Sequence, residues 1–194
     1  MNPNAISAFE YIGILISIIL GLGITQILSS IAECVYNSKQ IKFYFPHTIW
    51  VIIILFLHIQ EWFIIYELKN YPVWKLPTFL FMLLYPIVLY IIAKLLFPPN
   101  VEATVVNFKE YFMQSFSKIY TLFSIAVFTS IFFNVFILNV PLLQQSLLFI
   151  PILIFISMVW FNVKLEWLHK LIAIVFIIII IITTITEVNK WYIK

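Results

Sequence analysis

The residues best suited to chemistry lie in one short stretch, His58-Ile59-Gln60-Glu61-Trp62. His58 and Glu61 are three residues apart, so on a helix their side chains share a face and could hydrogen-bond to each other. The flanking residues are apolar, which predicts that the stretch lies inside a membrane span. An ionisable group there costs at least a few kcal/mol, so it is expected to be paired or to line a polar cavity.

Three interpretations of this stretch stay open. A structural knot would tie the second span to the first, with Gln26 or a lysine from elsewhere as the partner of Glu61. A polar pathway would carry protons or ions past His58, Gln60 and Glu61. A haem or metal site would use His58. The chain has 3 histidines in no dense ligand set, and its one His-x-x-Glu reverses the Glu-x-x-His order of di-iron bundles.

No other arrangement is typical of an enzyme. There is no Ser/His/Asp set with supporting context, no phosphate-binding glycine loop and no intramembrane-protease motif. The single cysteine, Cys34, excludes an intrachain disulfide and a metal site built on several thiolates. A net charge of +3, all of the basic residues being lysines, is no nucleic-acid footprint. We therefore predict a non-enzymatic protein without cofactor, metal or nucleic-acid partner.

The elements that must position these residues are membrane helices. The 194 residues are 64% hydrophobic and 10% charged, against roughly 45–50% and 25% in soluble domains. Six segments have about the 20 apolar residues that a span needs. The sequence therefore predicts an all-α, polytopic transmembrane bundle forming one domain over residues 1–194. The predicted spans are residues 9–33, 46–68, 76–97, 117–138, 142–162 and 166–188.

The longest connection, residues 98–118, has an amphipathic pattern. Its apolar positions follow helical spacing, with charged and polar residues opposite and Asn107 and Glu110 placed as a helix cap. We expect a helix lying in the membrane interface before span four. Since little else protrudes from the bilayer, a soluble partner or trigger would contact this segment.

Span one carries a stripe of small residues four positions apart. Small residues let helix backbones approach closely in lipid, so the stripe predicts a packing seam. The partner could be another helix of the same chain or a second copy, with contact to lipid or a cofactor as a further alternative. We call these residues the small-residue stripe: Gly13, Ser17, Gly21, Thr25 and Ser29.

A second face of span one is polar and comprises Gly23, Gln26, Ser30 and Glu33. Because one face of span one is expected to pack closely on a helix and the other to contact polar groups, span one is expected inside the bundle rather than at its rim. Ser7 and Glu10, three apart before the apolar run, predict a capping box.

The remaining charged and proline residues predict breaks. Pro86 and Pro151 lie inside spans three and five and predict kinks there. Spans five and six, joined near residues 162–164, could form one long bent helix, but Lys164, Glu166, His169 and Lys170 favour a break at the membrane interface. His169 is expected to join Glu166 and Lys170 in an interfacial network.

The lysines predict how the chain is oriented. An even number of spans puts both termini on one side. The loops joining spans 1–2, 3–4 and 5–6 hold seven lysines and the other side holds four. The positive-inside rule thus favours termini facing outward from a bacterial inner membrane.

Three stretches resemble a widespread set of uncharacterised bacterial multi-span membrane proteins. They are FEYIGILISIILGLGITQILSSIA (residues 9–32), HIQEWFIIYEL (58–68) and LLYPIVLYIIAKLLFP (83–98). The resemblance covers roughly the first half of the chain. It implies a fold of about six membrane helices and carries no established activity. By length and composition alone, the chain is also similar to small membrane proteins that accompany RNA-targeting CRISPR effectors.

These observations lead to two functional hypotheses. The first is a membrane effector or accessory protein, in a defence-type bacterial system, that packs or oligomerises through span one and forms a pore or alters permeability. The second is a small transporter or a haem- or quinone-binding redox protein that uses His58 and Glu61.

Overall fold

Six α-helices make up almost all of the protein. A computed structural model describes residues 7–71, 73–99 and 106–186. The helices, in chain order, are α1 (Ala8–Tyr36), α2 (Phe45–Tyr66), α3 (Leu76–Leu95), α4 (Phe108–Phe136), α5 (Phe149–Trp160) and α6 (Glu166–Thr186). Short 3-10 turns adjoin them at Ser38–Gln40, Glu67–Asn70 and Leu142–Leu148.

The described part of the chain contains six segments long and apolar enough to cross a membrane. Large apolar side chains on all of these helices are exposed, for example Leu22, Leu80 and Ile182. Such a surface is stable against lipid and not against water. The prediction of an all-α transmembrane bundle is confirmed. The chain is a multi-pass integral membrane protein.

The predicted interfacial helix before span four is wrong as a separate element. α4 runs without a break over 29 residues, from Phe108 to Phe136. The apolar face of its first turns is buried in the protein, and Phe112 and Phe116 are among the least exposed side chains. This face packs on α2 and α6 instead of on lipid, so the amphipathic pattern marks a core contact. Residues 100–105 of the predicted segment lie outside the described residues.

Span five also differs from the prediction. Its first third is the 3-10 turn Leu142–Leu148, and only Phe149–Trp160 is α-helical. Pro151 is therefore the third residue of α5, where its missing N–H leaves no helical hydrogen bond unmade, and it is not a mid-helix kink. Pro86 does lie inside α3.

The predicted break between spans five and six is confirmed. α5 ends at Trp160 and α6 begins at Glu166. Asn162 turns the chain with φ 46°, a left-handed conformation that asparagine tolerates better than most residues. The predicted capping box at the start of α1 is also confirmed, since the Glu10 N–H donates to Ser7 Oγ over 3.1 Å and the Ser7 N–H donates to Glu10 Oε2 over 2.7 Å.

α2 lies at the centre of the bundle, with contacts to α1, α3, α4 and α6. α1 packs on α2, α3 and the Glu67–Asn70 turn, while α5 packs chiefly on α4. The prediction that span one lies inside the bundle is therefore wrong: α1 is a rim helix. Its buried positions, including Ile12, Ile16, Leu20 and Ile27, form one stripe and the rest of its surface is open.

The core is unusually aromatic and is organised around Trp50 of α2. The Trp50 ring is fully buried and contacts rings from α4, α5 and α6 with centroids 4.7–5.8 Å away: Tyr120, Phe123, Phe155 and Phe176. Aromatic pairs at such distances are worth about 0.5–1.5 kcal/mol each beyond their area. This cluster fixes α2 against the second half of the chain.

One end of the bundle is closed by a short parallel pair of strands, β1 (Ile41–Lys42) and β2 (Val106–Asn107). We call this the β end and the opposite one, where α1 begins, the termini end. At the β end the Tyr111 hydroxyl donates to the carbonyls of Leu95 and Phe97, 2.9 Å each. Exposed aromatic residues at this end, such as Trp160 and Trp167, are typical of a membrane interface.

The core role of the first turns of α4 can be tested with two phenylalanines of that helix. Phe112→Ala is expected to lower the free energy of unfolding by about 3 kcal/mol because it leaves a cavity in the core. Phe128→Ala, whose ring is exposed, should change it by less than about 1 kcal/mol. Unfolding in mixed micelles titrated with a denaturing detergent measures both. If Phe112→Ala lowers the free energy of unfolding as little as Phe128→Ala does, the first turns of α4 lie in the membrane interface and not in the core.

Candidate functional site: a buried carboxyl in a polar pocket

Glu61 lies in the part of α2 that is apolar enough to span a membrane, and no described side chain is its counter-ion. It precedes the end of that helix by five residues, which places it roughly 7–8 Å inside the termini end. The side chain is 8% exposed. Within the described residues no lysine or histidine forms an ion pair with it, and the two ion pairs found both belong to Glu166. An ionisable group buried inside a bilayer is costly and commonly marks a functional site, so Glu61 is the first candidate in this protein.

The surroundings of Glu61 form a small cavity between α2, α3 and α4, which we call the Glu61 pocket. Its volume is about 20 Å³, the space that one water molecule or one small ion occupies. Its apolar walls are Ile64, Phe81, Met82 and Phe133. Its polar lining consists of Glu61, Tyr85, Thr129, Ser130 and Asn134. The pocket is therefore a polar site in an apolar part of the bundle.

Two of the polar side chains that line the Glu61 pocket keep an oxygen that can accept hydrogen bonds. Asn134 Nδ2 donates to Gln145 Oε1 over 2.8 Å, and its amide oxygen is not used in that bond. Thr129 Oγ1 donates to the Ile125 carbonyl over 2.8 Å and keeps its lone pairs. The polar lining can consequently accept hydrogen bonds or coordinate a cation.

Pro86 adds a backbone group to this region of α3. Proline has no N–H, so the carbonyl four residues earlier, that of Met82, loses its usual helical donor. Met82 itself lines the Glu61 pocket. A proline inside a membrane helix is tolerated where another group satisfies the freed carbonyl.

His58 faces a different helix from Glu61, and the predicted hydrogen bond between the two is not found. His58 Nδ1 lies 2.7 Å from the Ile54 carbonyl and so carries the proton. Its Nε2 is buried without a hydrogen-bond partner among the described residues. The imidazole packs on Gly23 of α1, where a Cβ atom would collide with Nε2 and Cδ2.

This contact argues against the haem and metal interpretation. The free lone pair of His58 is on Nε2, and the backbone of α1 at Gly23 covers it. No coordination position is open there unless α1 leaves α2. The described residues contain no group of three His, Cys, Asp or Glu side chains that could hold a metal ion. His58 therefore does not fit the role of a haem or transition-metal ligand.

The polar face of span one divides between the bundle and the surface. Gln26 Nε2 donates to Ser30 Oγ over 2.9 Å, and Lys94 of α3 donates to Gln26 Oε1 over 3.0 Å. Lys94 thus joins span three to span one and is not the lysine partner expected for Glu61. The polar contacts of span one therefore differ in their members from the predicted knot between spans one and two. Glu33 is exposed. Gln60 is half-buried and is not part of the lining of the Glu61 pocket.

The small-residue stripe faces away from the other helices that the structure describes. A Cβ atom built at Gly13 or Gly21 would meet no atom of the described residues within 4 Å. Ser17 is half-buried, and Thr25 and Ser29 are exposed. The stripe is therefore not a tight intrachain seam. The close helix approach of α1 occurs instead at Gly23, which the sequence placed on the polar face.

The other two histidines have structural roles. His47 Nε2 donates to the Leu96 carbonyl over 2.6 Å, and the ring stacks on Phe108. His169 is fully buried between α4 and α6, where its Nδ1 lies 3.0 Å from the Tyr120 hydroxyl and its Nε2 lies 2.9 Å from the Val163 carbonyl. His169 therefore does not join Glu166 and Lys170, and this part of the predicted network is wrong.

Glu166 and Lys170 do form an ion pair, and Lys109 joins them. Glu166 pairs with Lys170 over 2.8 Å and with Lys109, at the start of α4, over 2.5 Å. The pair with Lys109 ties the beginnings of α4 and α6 together at the β end, while the pair with Lys170 lies within α6. Because these side chains are partly exposed, water screens both pairs and each contributes little to stability.

Comparisons of the chain with protein-family models, with curated proteins and with solved structures found no match.

Most of the polar lining of the Glu61 pocket was missed by reasoning from the sequence. Glu61 itself was identified because a carboxyl in an apolar run is conspicuous. Thr129, Ser130 and Asn134 lie in a helix that also carries many other hydroxyl residues. One signal was available: Ser130 and Asn134 are four apart and so share a face of α4. Only the packing of α4 on α2 brings that face to Glu61.

The contact between Gly23 and His58 predicts opposite outcomes for two neighbouring glycines. Gly23→Ala should lower the free energy of unfolding by about 1–3 kcal/mol, since the imidazole is held by Ile54 and cannot move away. Gly21→Ala should be neutral or stabilising by up to about 1 kcal/mol, because alanine is the better helix former and the space is open. Unfolding in mixed micelles measures both.

A double-mutant cycle separates this contact from a general effect of alanine. His58→Ala should relieve the penalty of Gly23→Ala, giving a favourable coupling of about 1 kcal/mol or more. Additive effects of the two changes would show that α1 and α2 do not meet at this point.

Proposed function

We propose that the protein is a membrane-embedded effector or accessory component that assembles with further copies of itself through the small-residue stripe, and that the assembly alters membrane permeability. The observation that carries this proposal is the position of the stripe. It lies on a rim helix, and Gly13 and Gly21 have open space beside them. Small residues on an outer face allow a second helix to approach closely, which is a main source of helix association in lipid.

The exposed polar residues of α1 support the proposal that the assembly alters membrane permeability. Beyond Gly21 the same face continues with Thr25, Ser29 and Glu33, four apart and all exposed. Polar groups facing hydrocarbon are costly, and a shared interface between copies would remove them from it. A symmetric seam between parallel helices places each of these residues near its equivalent in the neighbouring copy. Such a seam is a polar strip along which water or ions can pass.

Cysteine cross-linking in membranes tests the seam. In a Cys34→Ser background, Ser17→Cys is expected to form a disulfide-linked dimer under mild oxidation, since the bond requires Cα atoms within about 7 Å. Phe128→Cys, at an exposed position of α4, is the matched control and should stay monomeric. Non-reducing gel electrophoresis measures the dimer fraction.

Variants that block the stripe complete the test. Gly21→Leu should abolish the Ser17→Cys dimer, while Ser157→Leu, an enlargement at an exposed position of α5, should leave it intact. Release of a small dye from vesicles that contain the protein should follow the same order. A dimer fraction equal in the Ser17→Cys and Phe128→Cys proteins would refute the seam.

A second candidate function is a small transporter that carries protons or ions by way of Glu61. The Glu61 pocket favours it, because a carboxyl without a counter-ion lies there beside space for one small particle. In membrane proteins such groups are common in ion and proton pathways. The haem-binding version of this candidate has no support from the geometry of His58.

Proton flux into vesicles distinguishes this candidate from the first. Glu61→Gln, which keeps the size of the side chain and removes its charge, should reduce flux driven by a pH gradient to the level of protein-free vesicles. Glu67→Gln, a change at an exposed glutamate one to two turns away, should not. Flux that survives Glu61→Gln but is lost in Gly21→Leu would support the assembly and eliminate the transporter.

Three further predictions complete the proposed setting: a bacterial inner membrane, termini that face outward, and a defence-type system whose soluble trigger contacts residues 98–118. The lysine distribution supports the orientation. The exposed residues Lys109, Glu110, Gln114 and Lys118 offer a partner a charged surface at the β end.

A further inference from the structure

We propose that the Glu61 pocket is a binding site for one small monovalent cation, either a proton or Na⁺. The site consists of the Glu61 carboxyl, the oxygens of Tyr85, Thr129, Ser130 and Asn134, and a cavity of about 20 Å³ between them. The inference shares its residues with the transporter candidate above, but it concerns binding and is tested by binding alone.

The charge around Glu61 is the first argument. Of the helices that line the pocket, α3 contributes one titratable group, the phenol of Tyr85, and α4 contributes none. On α2 itself, His58 packs on Gly23 of α1. Lys94 is bonded to Gln26 near the β end. A carboxylate inside a bilayer needs a positive partner, and no described side chain supplies one.

The chemistry of the lining is the second argument. The polar side chains that line the pocket all carry oxygens, and the Asn134 amide nitrogen already donates one hydrogen bond, to Gln145. Oxygen ligands suit hard cations and water. One carboxylate with several neutral oxygens balances a single positive charge. A divalent ion would leave a net charge in the bilayer.

The size and place of the pocket are the third argument. About 20 Å³ admits one water-sized particle and excludes an organic substrate. Glu61 is five residues from the end of α2, and Asn134 is two residues from the end of α4. A cation therefore crosses only one to two helical turns between the aqueous phase at the termini end and the site.

Infrared difference spectroscopy of the protein in lipid measures the occupant directly. Spectra are recorded at a series of pH values in NaCl and in choline chloride, whose cation is too large for the pocket. The Glu61 signal is identified as the one that Glu61→Gln removes, and Glu67→Gln serves as the control for an exposed carboxyl. Thermal unfolding in the same two salts gives a second readout.

Two results would support the site and would identify its occupant. A carboxylic-acid band at neutral pH that is the same in both salts identifies a proton. A band that Na⁺ converts to the carboxylate form, together with a higher melting temperature in NaCl that Glu61→Gln abolishes, identifies Na⁺. If the occupant is Na⁺, Tyr85→Phe or Ser130→Ala, which remove one oxygen each, should weaken its binding about tenfold. If the occupant is a proton, the same changes should shift the pH at which the carboxylic-acid band disappears.

One result would overturn the site. If Glu61 titrates as Glu67 does, with no response to Na⁺ in either readout, the pocket holds no cation. The Tyr85→Phe and Ser130→Ala proteins keep the carboxyl, so they test the site even where Glu61→Gln fails to fold. Binding without proton or Na⁺ flux in vesicles would retain the site and remove the transporter candidate, so the two failures are distinguishable.

Discussion

The structure depends on one constraint: a bilayer offers no water to polar groups, so each of them must find a partner inside the protein. Helices satisfy the backbone, and the polar side chains follow the same rule. His47 and His169 reach carbonyls at helix ends, and Gln26 is bonded to both Ser30 and Lys94. Against this background the Glu61 carboxyl is conspicuous, because no described lysine or histidine pairs with it and a cavity lies beside it.

The same constraint explains how the helices are arranged. Burial of apolar area cannot hold helices together in lipid, so packing and hydrogen bonds must do so. At the centre, the aromatic cluster around Trp50 provides dense packing between α2 and the second half of the chain. At the rim, α1 meets α2 through the close contact of Gly23 with His58. Its other face, with Gly13 and Gly21, has no partner among the described residues, and this asymmetry underlies the proposed assembly.

The sequence predicted reliably those features that depend only on residues close together in the chain. The capping box of Ser7 and Glu10, the six apolar segments and the break before α6 depend on neighbouring residues, and all were predicted correctly. The small-residue stripe and the amphipathic start of α4 were recognised as patterns, but their partners were not. The residue pattern of an apolar helix face is the same whether the face contacts lipid or protein. Phe112 lies in the core because α2 and α6 lie beside it.

The sequence by itself determined that this is a six-helix membrane protein, because hydropathy over about 20 residues is sufficient to decide which segments cross a bilayer. It also identified Glu61 and His58 as costly groups. Only the tertiary structure decided that these two face different helices, that Gly23 and not Gly21 is the tight glycine, and that oxygens of α3 and α4 surround Glu61. The physical reason is that the direction of a helix face is set by the sequence, whereas its neighbour is set by how the whole bundle packs.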